Sequence, residues 1–415
     1  MLELFEKIAS IPHCSGETRR LAQFIQDFAK KNGFSVESDE AGNTLCYKSK
    51  RHIALQSHYD MVCVGAAPKI EIVKENGYLE AKNSSLGADN GIGVAMMLAL
   101  MEEGCEAEYL FTNDEEIGLV GAKRLSLRMQ AGKMINLDSE EFGAIFVGCA
   151  GGVDLHAKVA FKKRKTAGKF YKIKTTAPGG HSGVDIHKEI PNAIKELAYF
   201  IKEQDLEVVS FKGGERINSI PAYAEAVVMG DLKAKAGVEV EYLGQDELEV
   251  FEKCFLDLLL AIPHGVRGWS EELGVPLHSQ NLALVEADET VRVSLSVRSM
   301  QKVGLKCLEM ENSALLEGFG CEVSIEDRYE PWEPRIDTFA KEMKRLYEKY
   351  AKNVEFKAIH AGLEAAVLAK KFPTMQILSV GPTIESPHSV HERVKIETIE
   401  PIYQMLKELL CAYSS

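Results

Sequence analysis

Leu110–Gly121 reads LFTNDEEIGLVG, a short apolar run that stops at Asn113 and hands over to two adjacent carboxylates, Glu115 and Glu116. Successive side chains of a strand point to opposite sides, but just past a strand end the backbone is free to aim both acids into one cleft. There one acid can hold a metal while the other moves a proton. Alone, such a turn is equally well a solvated acidic loop. Its company shifts the balance. His58-Tyr59-Asp60 and Asp89 upstream, with Asp138 and His388 downstream, each stand where an apolar run gives way to Gly, Asn or Ser. Hard carboxylates mixed with imidazoles suit zinc and its first-row neighbours.

Outward from that stretch the periodicity alternates. Leu21, Phe24, Ile25 and Phe28 mark an amphipathic helix over Glu17–Asn32, with Ser15 as its expected N-cap and Gly33 just past its end. Strand-like segments follow in FSVESDEAGNTLCYK, turned at Gly42-Asn43, and in His52–His58. GADNGIGVAMMLALMEEG runs from a Gly-rich turn into an apolar helix, so Asp89 falls beside the exposed N–H groups of a helix start. Glu108–Thr112 and Lys133–Asp138 are further strands, each leading into carboxylates. This order argues for an α/β layer with a mostly parallel sheet whose ligands gather at strand ends.

Past Cys149-Ala-Gly-Gly152 the texture changes to strands of looser polarity, VDLHAKVAF and KFYKIKTTA, then to the turn-rich PGGHSGVDIHK. Helical spacing recurs over Pro191–Lys202, Glu247–Ala261 and Val303–Phe319, and strands over INSIPAYAEAVVMGDL, ADETVRVSLSVRSM and CEVSIED. Two prolines in Arg328–Pro334 mark the return, with helices over Ile336–Tyr350 and Pro401–Leu410. The expected organisation is therefore a catalytic α/β domain over 1–152 and 332–415, interrupted by an α+β insert over 153–331.

With 415 residues, 46% of them hydrophobic, the chain can bury two or three cores. No window approaches 18 uncharged apolar residues, and Glu3, Glu6 and Lys7 stand where a signal peptide needs an apolar centre, so the expected location is the cytoplasm. The nine cysteines include no C-x-x-C pair and are expected to be buried thiols rather than a disulfide framework. A net charge of −13 argues against nucleic acid or an anionic membrane as partner, and the short basic cluster Phe161–Lys165 reads as a solvated turn.

Read without any family, these residues are compatible with a two-metal hydrolytic site, where ions about 3.5–4 Å apart share a bridging carboxylate and a water of lowered pKa. Asp89 suits the bridge. Asp60, two residues past His58, is placed to accept the second imidazole N–H and joins Glu115 as a catalytic candidate. Near His388 the residues leave His391 equally available. GADNGIG lacks the glycine order of a phosphate loop, no thiol carries an activating signature, and Ser182 in GGHSG lacks the spacing of a nucleophile elbow.

The ordered set SHYDMV, LGADNGIG, TNDEEIGLVGA, NLDSEE, GCAGG, GGHSGVDIHK, INSIP, HAGLE and PHSVHERV resembles the peptidase D family. These are cytosolic aminoacyl-histidine (Xaa-His) dipeptidases related to carnosinases and tripeptide aminopeptidase. The resemblance implies metal-dependent hydrolysis of dipeptides, of the Xaa-His type or over a broad range, by a metal-bridged water with Glu115 as general base. It places His58 and Asp138 on one metal, Glu116 and His388 on the other, and Asp89 between them. A ligand histidine four residues ahead of a glutamate selects His388, through Glu392. The implied cofactors are two divalent ions, zinc first, with cobalt or manganese as alternatives. The insert becomes a lid that mediates a homodimer.

A dipeptidase must also read the peptide's ends. Arg298 and Asn218 are candidates for its terminal carboxylate, and His360 in HAGLE joins them as a substrate-binding candidate. His181, freed by flanking glycines, is a candidate donor to the oxyanion, from its own or a partner subunit. A deacylase of N-acyl amino acids and a non-catalytic dimeric binding module are the rival readings.

Overall fold

The computed structural model describes residues 1–414, which form two compact units. The first comprises Met1–Gly148, Pro334–Ala358 and the chain from Leu363 on; the second comprises Cys149–Glu333 with Ile359–Gly362. That last segment, expected in the first domain, joins the second because Ala150 N–H donates to Ile359 O at 3.0 Å and His360 pairs with Ser279.

An eight-stranded sheet organises the first unit, in the order Ser35–Ser38, Thr44–Tyr47, Glu108–Thr112, Ile53–His58, Lys133–Asn136, Gln376–Ser379, Ala144–Cys149, Glu355–Ile359. It is a mixed sheet built around parallel strands. Glu108–Thr112, Ile53–His58, Lys133–Asn136 and Gln376–Ser379 form its parallel centre, while the hairpin Ser35–Tyr47 and the strand Ala144–Cys149 attach to that centre antiparallel. Central strands covered on both faces bury every side chain, as Ile53–His58 and Glu108–Thr112 do. Thirteen of the fifteen residues of the helix Ala88–Glu102 are buried, so it is apolar all round rather than amphipathic. Gly93 lets this helix lie against the sheet: a Cβ there would overlap Asn90 Oδ1 and come within 2.6 Å of Ser57 Oγ.

The second unit is built on a nine-stranded antiparallel sheet in the order Val238–Phe251, Lys163–Thr176, Tyr223–Met229, Glu207–Gly213, Val275–Ala287, Val291–Ser299, Gly151–Val159, Glu322–Tyr329, with Gly265–Ser270 added to Val275–Ala287. The helix Ala193–Glu203 buries Leu197 and Ile201 in a core with Ile173, Val228 and Leu295 of the sheet. Side chains alternate along the strands, so register neighbours Lys174, Glu225, Lys212, Glu286 and Arg292 form a row of alternating charge outside that core.

Several local expectations are corrected. Glu247–Phe251 is strand, paired with Lys163–Ala167, and the helix begins only at Cys254; the same pairing makes Lys163–Lys165 strand rather than turn. Thr18, not Ser15, is the N-cap of Arg19–Lys31, because the Ser15 hydroxyl is engaged by Asp60. Cys14 and Cys63 form a disulfide with Cα atoms 5.5 Å apart, where Cys14 bridges in parallel to Met61. Cys46 and Cys321 are buried thiols, but Cys307 is exposed. Among the described residues no helix is long and apolar enough to cross a membrane.

The close approach at Gly93 is testable. Gly93→Ala should destabilise the protein by about 1–3 kcal/mol, the usual cost of an overpacked core, despite alanine's better helix propensity. A thermal melt at or above the parent's midpoint would show that the helix can shift without cost.

Candidate metal centre

Because the central strands are parallel, their carboxyl ends lie at one edge of the sheet, where open α/β sheets collect ligands. His58 is the last residue of its strand, level with Thr112. Glu115 and Glu116 follow Thr112, and Asp138 follows Asn136, the last residue of Lys133–Asn136. Asp89 and Asn90 open the helix Ala88–Glu102 with non-helical dihedrals, which turns their side chains out of the helical path.

Two groups of three result. His58 Nε2 lies 3.1 Å from Asp89 Oδ1 and 3.1 Å from Asp138 Oδ1, and His388 Nε2 lies 3.2 Å from Asp89 Oδ2 and 2.9 Å from Glu116 Oε1. Asp89 belongs to both, offering one oxygen to each. In each group the ligand atoms lie within 4.8 Å of one another, as they do for His58, Glu115 and Glu116. One ring N–H cannot serve two carboxylates fully, whereas a cation between the three atoms satisfies all of them. The donor set of imidazole and carboxylate therefore fits first-row divalent ions. His391 is exposed, and its backbone N–H donates to the Ser389 hydroxyl at 3.0 Å.

Neighbouring groups fix these side chains. Asp60 Oδ1 accepts the Glu115 N–H at 2.9 Å and Oδ2 accepts the Ser15 hydroxyl at 2.8 Å. His58 Nδ1 lies 3.1 Å from the Asp60 carbonyl and 3.5 Å from its carboxylate. Asn90 donates to Asp138 at 2.7 Å. Glu392, 2% exposed, accepts four backbone N–H groups, from Leu86, Gly87, Ala88 and Asp89, at 2.7–3.2 Å. These are donors that a helix start leaves orphaned, and the negative charge suits the helix dipole.

Crowding shapes the electrostatics. Burial, with Asp138, Glu364 and Glu116 nearby, pushes the Glu115 carboxyl well above the carboxylate range. Burial also lifts Asp138 and Glu116. For Asp89 burial is outweighed by hydrogen bonds from His388 and His58, which hold it low. The bonds to Asp89 and Glu116 push His388 up to about 11.

Sequence reasoning missed the polar layer beneath. Glu364, fully buried, accepts from Gln56 at 2.5 Å and Thr112 at 3.0 Å; Asn136 donates to Gln56 at 2.6 Å, and Ser379 to Asn136 at 2.5 Å. The layer crosses all four parallel strands just below the site. Its one sequence signal is a glutamine inside the apolar run IALQSH.

The remaining candidates lie in the second unit. His181 Nδ1 accepts N–H groups from Gly183 and Val184, at 3.2 and 3.1 Å, which leaves Nε2 as the proton-bearing nitrogen of the neutral ring. Burial lowers its pKa, consistent with neutrality. Arg298 is 8% exposed and donates to the Tyr329 hydroxyl at 2.5 Å. His360 is buried with Nε2 2.7 Å from Ser279 Oγ, and burial together with Arg298 lowers it to about 3. Asn218 is exposed, its carbonyl accepting the Ser182 N–H.

Residues 54–412 match the peptidase family M20/M25/M40. The chain is 33% identical to the cytosol non-specific dipeptidase of Escherichia coli over 98% of its own length and 96% of that protein. In structure it resembles an aminoacylhistidine dipeptidase from Vibrio alginolyticus, with a TM-score of 0.88 and 30% identity over 99% of this chain and 96% of that one. A tripeptidase from Staphylococcus aureus shares the fold with a TM-score of 0.63 at 17% identity, over 99% and 97% of the two chains.

Burial, with Asp138 adding to it, raises Glu364 to about 7 from an ordinary value of 4.5. A raised folded value means that its contribution to stability is present below the unfolded value and lost as pH rises through the folded one. Metal-free protein should therefore melt lower as pH is raised from about 4.5 to about 7, and Glu364→Gln should flatten that decline. Parallel melting curves for the parent and the variant would show that Glu364 does not titrate there.

Proposed function

This chain belongs to the M20/M25/M40 peptidase family and is a metal-dependent peptidase, and from that premise we propose that it hydrolyses dipeptides, of the Xaa-His type or over a broader range. The observation that carries this reading is the pair of three-residue groups sharing Asp89, with Glu115 beside them and outside the shared bridge. On this reading His58, Asp138 and Asp89 would hold one divalent ion, and Asp89, Glu116 and His388 would hold the second. Zinc suits this donor set best, with cobalt and manganese as alternatives.

When bound, the ions supply positive charge that acidifies water and polarises the scissile carbonyl. The chain's own residues do the rest. Glu115 takes a proton from the attacking water at a carboxylate oxygen and returns it to the departing amine nitrogen. Asp60 holds the Glu115 and Glu116 N–H groups and faces His58 Nδ1, so it orients base and ligands together. His181 Nε2–H is the proposed donor to the oxyanion, from its own chain or from a partner subunit, a role worth about 3–4 kcal/mol. Arg298, with Asn218 and His360, is proposed to take the peptide's terminal carboxylate.

The second unit serves as a lid and homodimerisation domain on this reading, with the cytoplasm as the location, in keeping with the E. coli relative's name.

Metal-loaded protein assayed on a panel of dipeptides and N-acetyl amino acids tests the proposal. Free dipeptides should be cleaved, with activity lost to a chelator and regained on adding metal. Glu115→Gln should keep the parent's metal content while turnover falls about a hundredfold or more. Preference for N-acetyl amino acids would make the enzyme a deacylase, and near-parental turnover in Glu115→Gln would remove Glu115 as the base.

A further inference from the structure

Four side-chain atoms of the second unit are buried without a hydrogen-bond partner: Ser182 Oγ, Asn281 Oδ1, Arg298 Nε and His360 Nδ1. They belong to one neighbourhood. Arg298 is the register partner of Ser279, whose hydroxyl meets His360, and Asn281 lies two residues further along the same strand. Asn281 donates to the Ser219 carbonyl, and Ser219 pairs with His181, next to Ser182. Folded interiors rarely leave such groups unsatisfied, so their clustering points to a polar ligand. A guanidinium never gives up its proton; buried with Nε free, it calls for an anion that accepts two N–H groups side by side.

What aims that guanidinium is Tyr329. Its hydroxyl accepts from the Arg298 Nη1 group at 2.5 Å, and burial pushes the phenol pKa up, so it stays a neutral acceptor. The residue is seated against glycines from two segments distant from it in the chain. A Cβ on Gly152 would come within 2.6 Å of the Tyr329 hydroxyl oxygen, one on Gly151 within 2.7 Å of the Tyr329 carbonyl, and one on Gly362 within 3.1 Å of the ring. Gly152 and Gly362 thus clear a hollow for the phenol, and Gly151 clears the way for its backbone. His360, neutral beside Arg298, adds no competing charge.

We propose that Tyr329 is a positioning residue for substrate selection: by holding one arm of the Arg298 fork, it presents the remaining N–H groups to the terminal carboxylate of the peptide. This rests on the reading of Arg298 as the carboxylate receptor. Tyr329→Phe keeps the ring in its glycine hollow and removes only the hydroxyl.

The test measures kcat and KM for a dipeptide on metal-loaded enzyme, with inhibition by a free amino acid product and by its amide, in the parent, Tyr329→Phe and Arg298→Ala. The expected result for Tyr329→Phe is about a tenfold rise in KM and in the inhibition constant of the free amino acid, the scale of one charge-assisted hydrogen bond. The turnover number and the inhibition constant of the amide should hold. If Arg298→Ala erases the preference for the free carboxylate while Tyr329→Phe preserves it, the proposal for Tyr329 is overturned and the reading of Arg298 stands. If neither variant changes the preference, the reading of Arg298 fails and the proposal fails with it. A fall in kcat with both inhibition constants unchanged would also overturn it.

Discussion

The constraint on which this structure turns is repulsion among carboxylates. Asp89, Asp138, Glu115 and Glu116 crowd around His58 and His388 at one sheet edge, where two like charges about 4 Å apart cost on the order of 4 kcal/mol at an effective dielectric of 20. A fold can hold such a set only if something positive is shared among them and their orientations are imposed from outside. The shared charge is what divalent ions provide. The imposed orientation is visible in the hydrogen bonds.

Those bonds come from three directions. From the helix side, Glu392 gathers the N–H groups of Leu86 through Asp89 and so fixes the backbone from which Asp89 projects. From the loop side, Asp60 ties Glu115 and Glu116 to Ser15, within the segment that the Cys14–Cys63 disulfide joins to the chain beyond His58. From below, the layer from Glu364 to Ser379 binds the four parallel strands to one another. A metal ligand displaced by one ångström would break contacts in at least one of these sets, and rigid second partners are what keep ligating side chains in place.

How much of this was legible in the sequence depends on range. His58, Asp89, Glu115, Glu116 and Asp138 announce themselves because each ends or opens an apolar run, a signal contained within a few residues. His388 shares that signal with His391 close by, and its spacing to Glu392 in a resembling family is what distinguishes the two. Pairings with no local signature stayed hidden. Gln56 and Glu364 meet across 308 residues, and Cys14 meets Cys63 across 49. Glu247–Phe251 is too short for period 2 to be told from period 3.6, and its register with Lys163–Ala167 decides for strand. Tyr329 carried no sign of its role, because its hollow is made by glycines distant from it in the chain.

The central claim is that the strand-end carboxylates and imidazoles form a two-ion site bridged by Asp89. Anomalous diffraction from crystals of the zinc-loaded protein, recorded on either side of the zinc absorption edge, tests it most directly. The account predicts two peaks per chain, one among His58, Asp89 and Asp138 and the other among Asp89, Glu116 and His388. A single peak, or a second peak that does not touch Asp89, would contradict it.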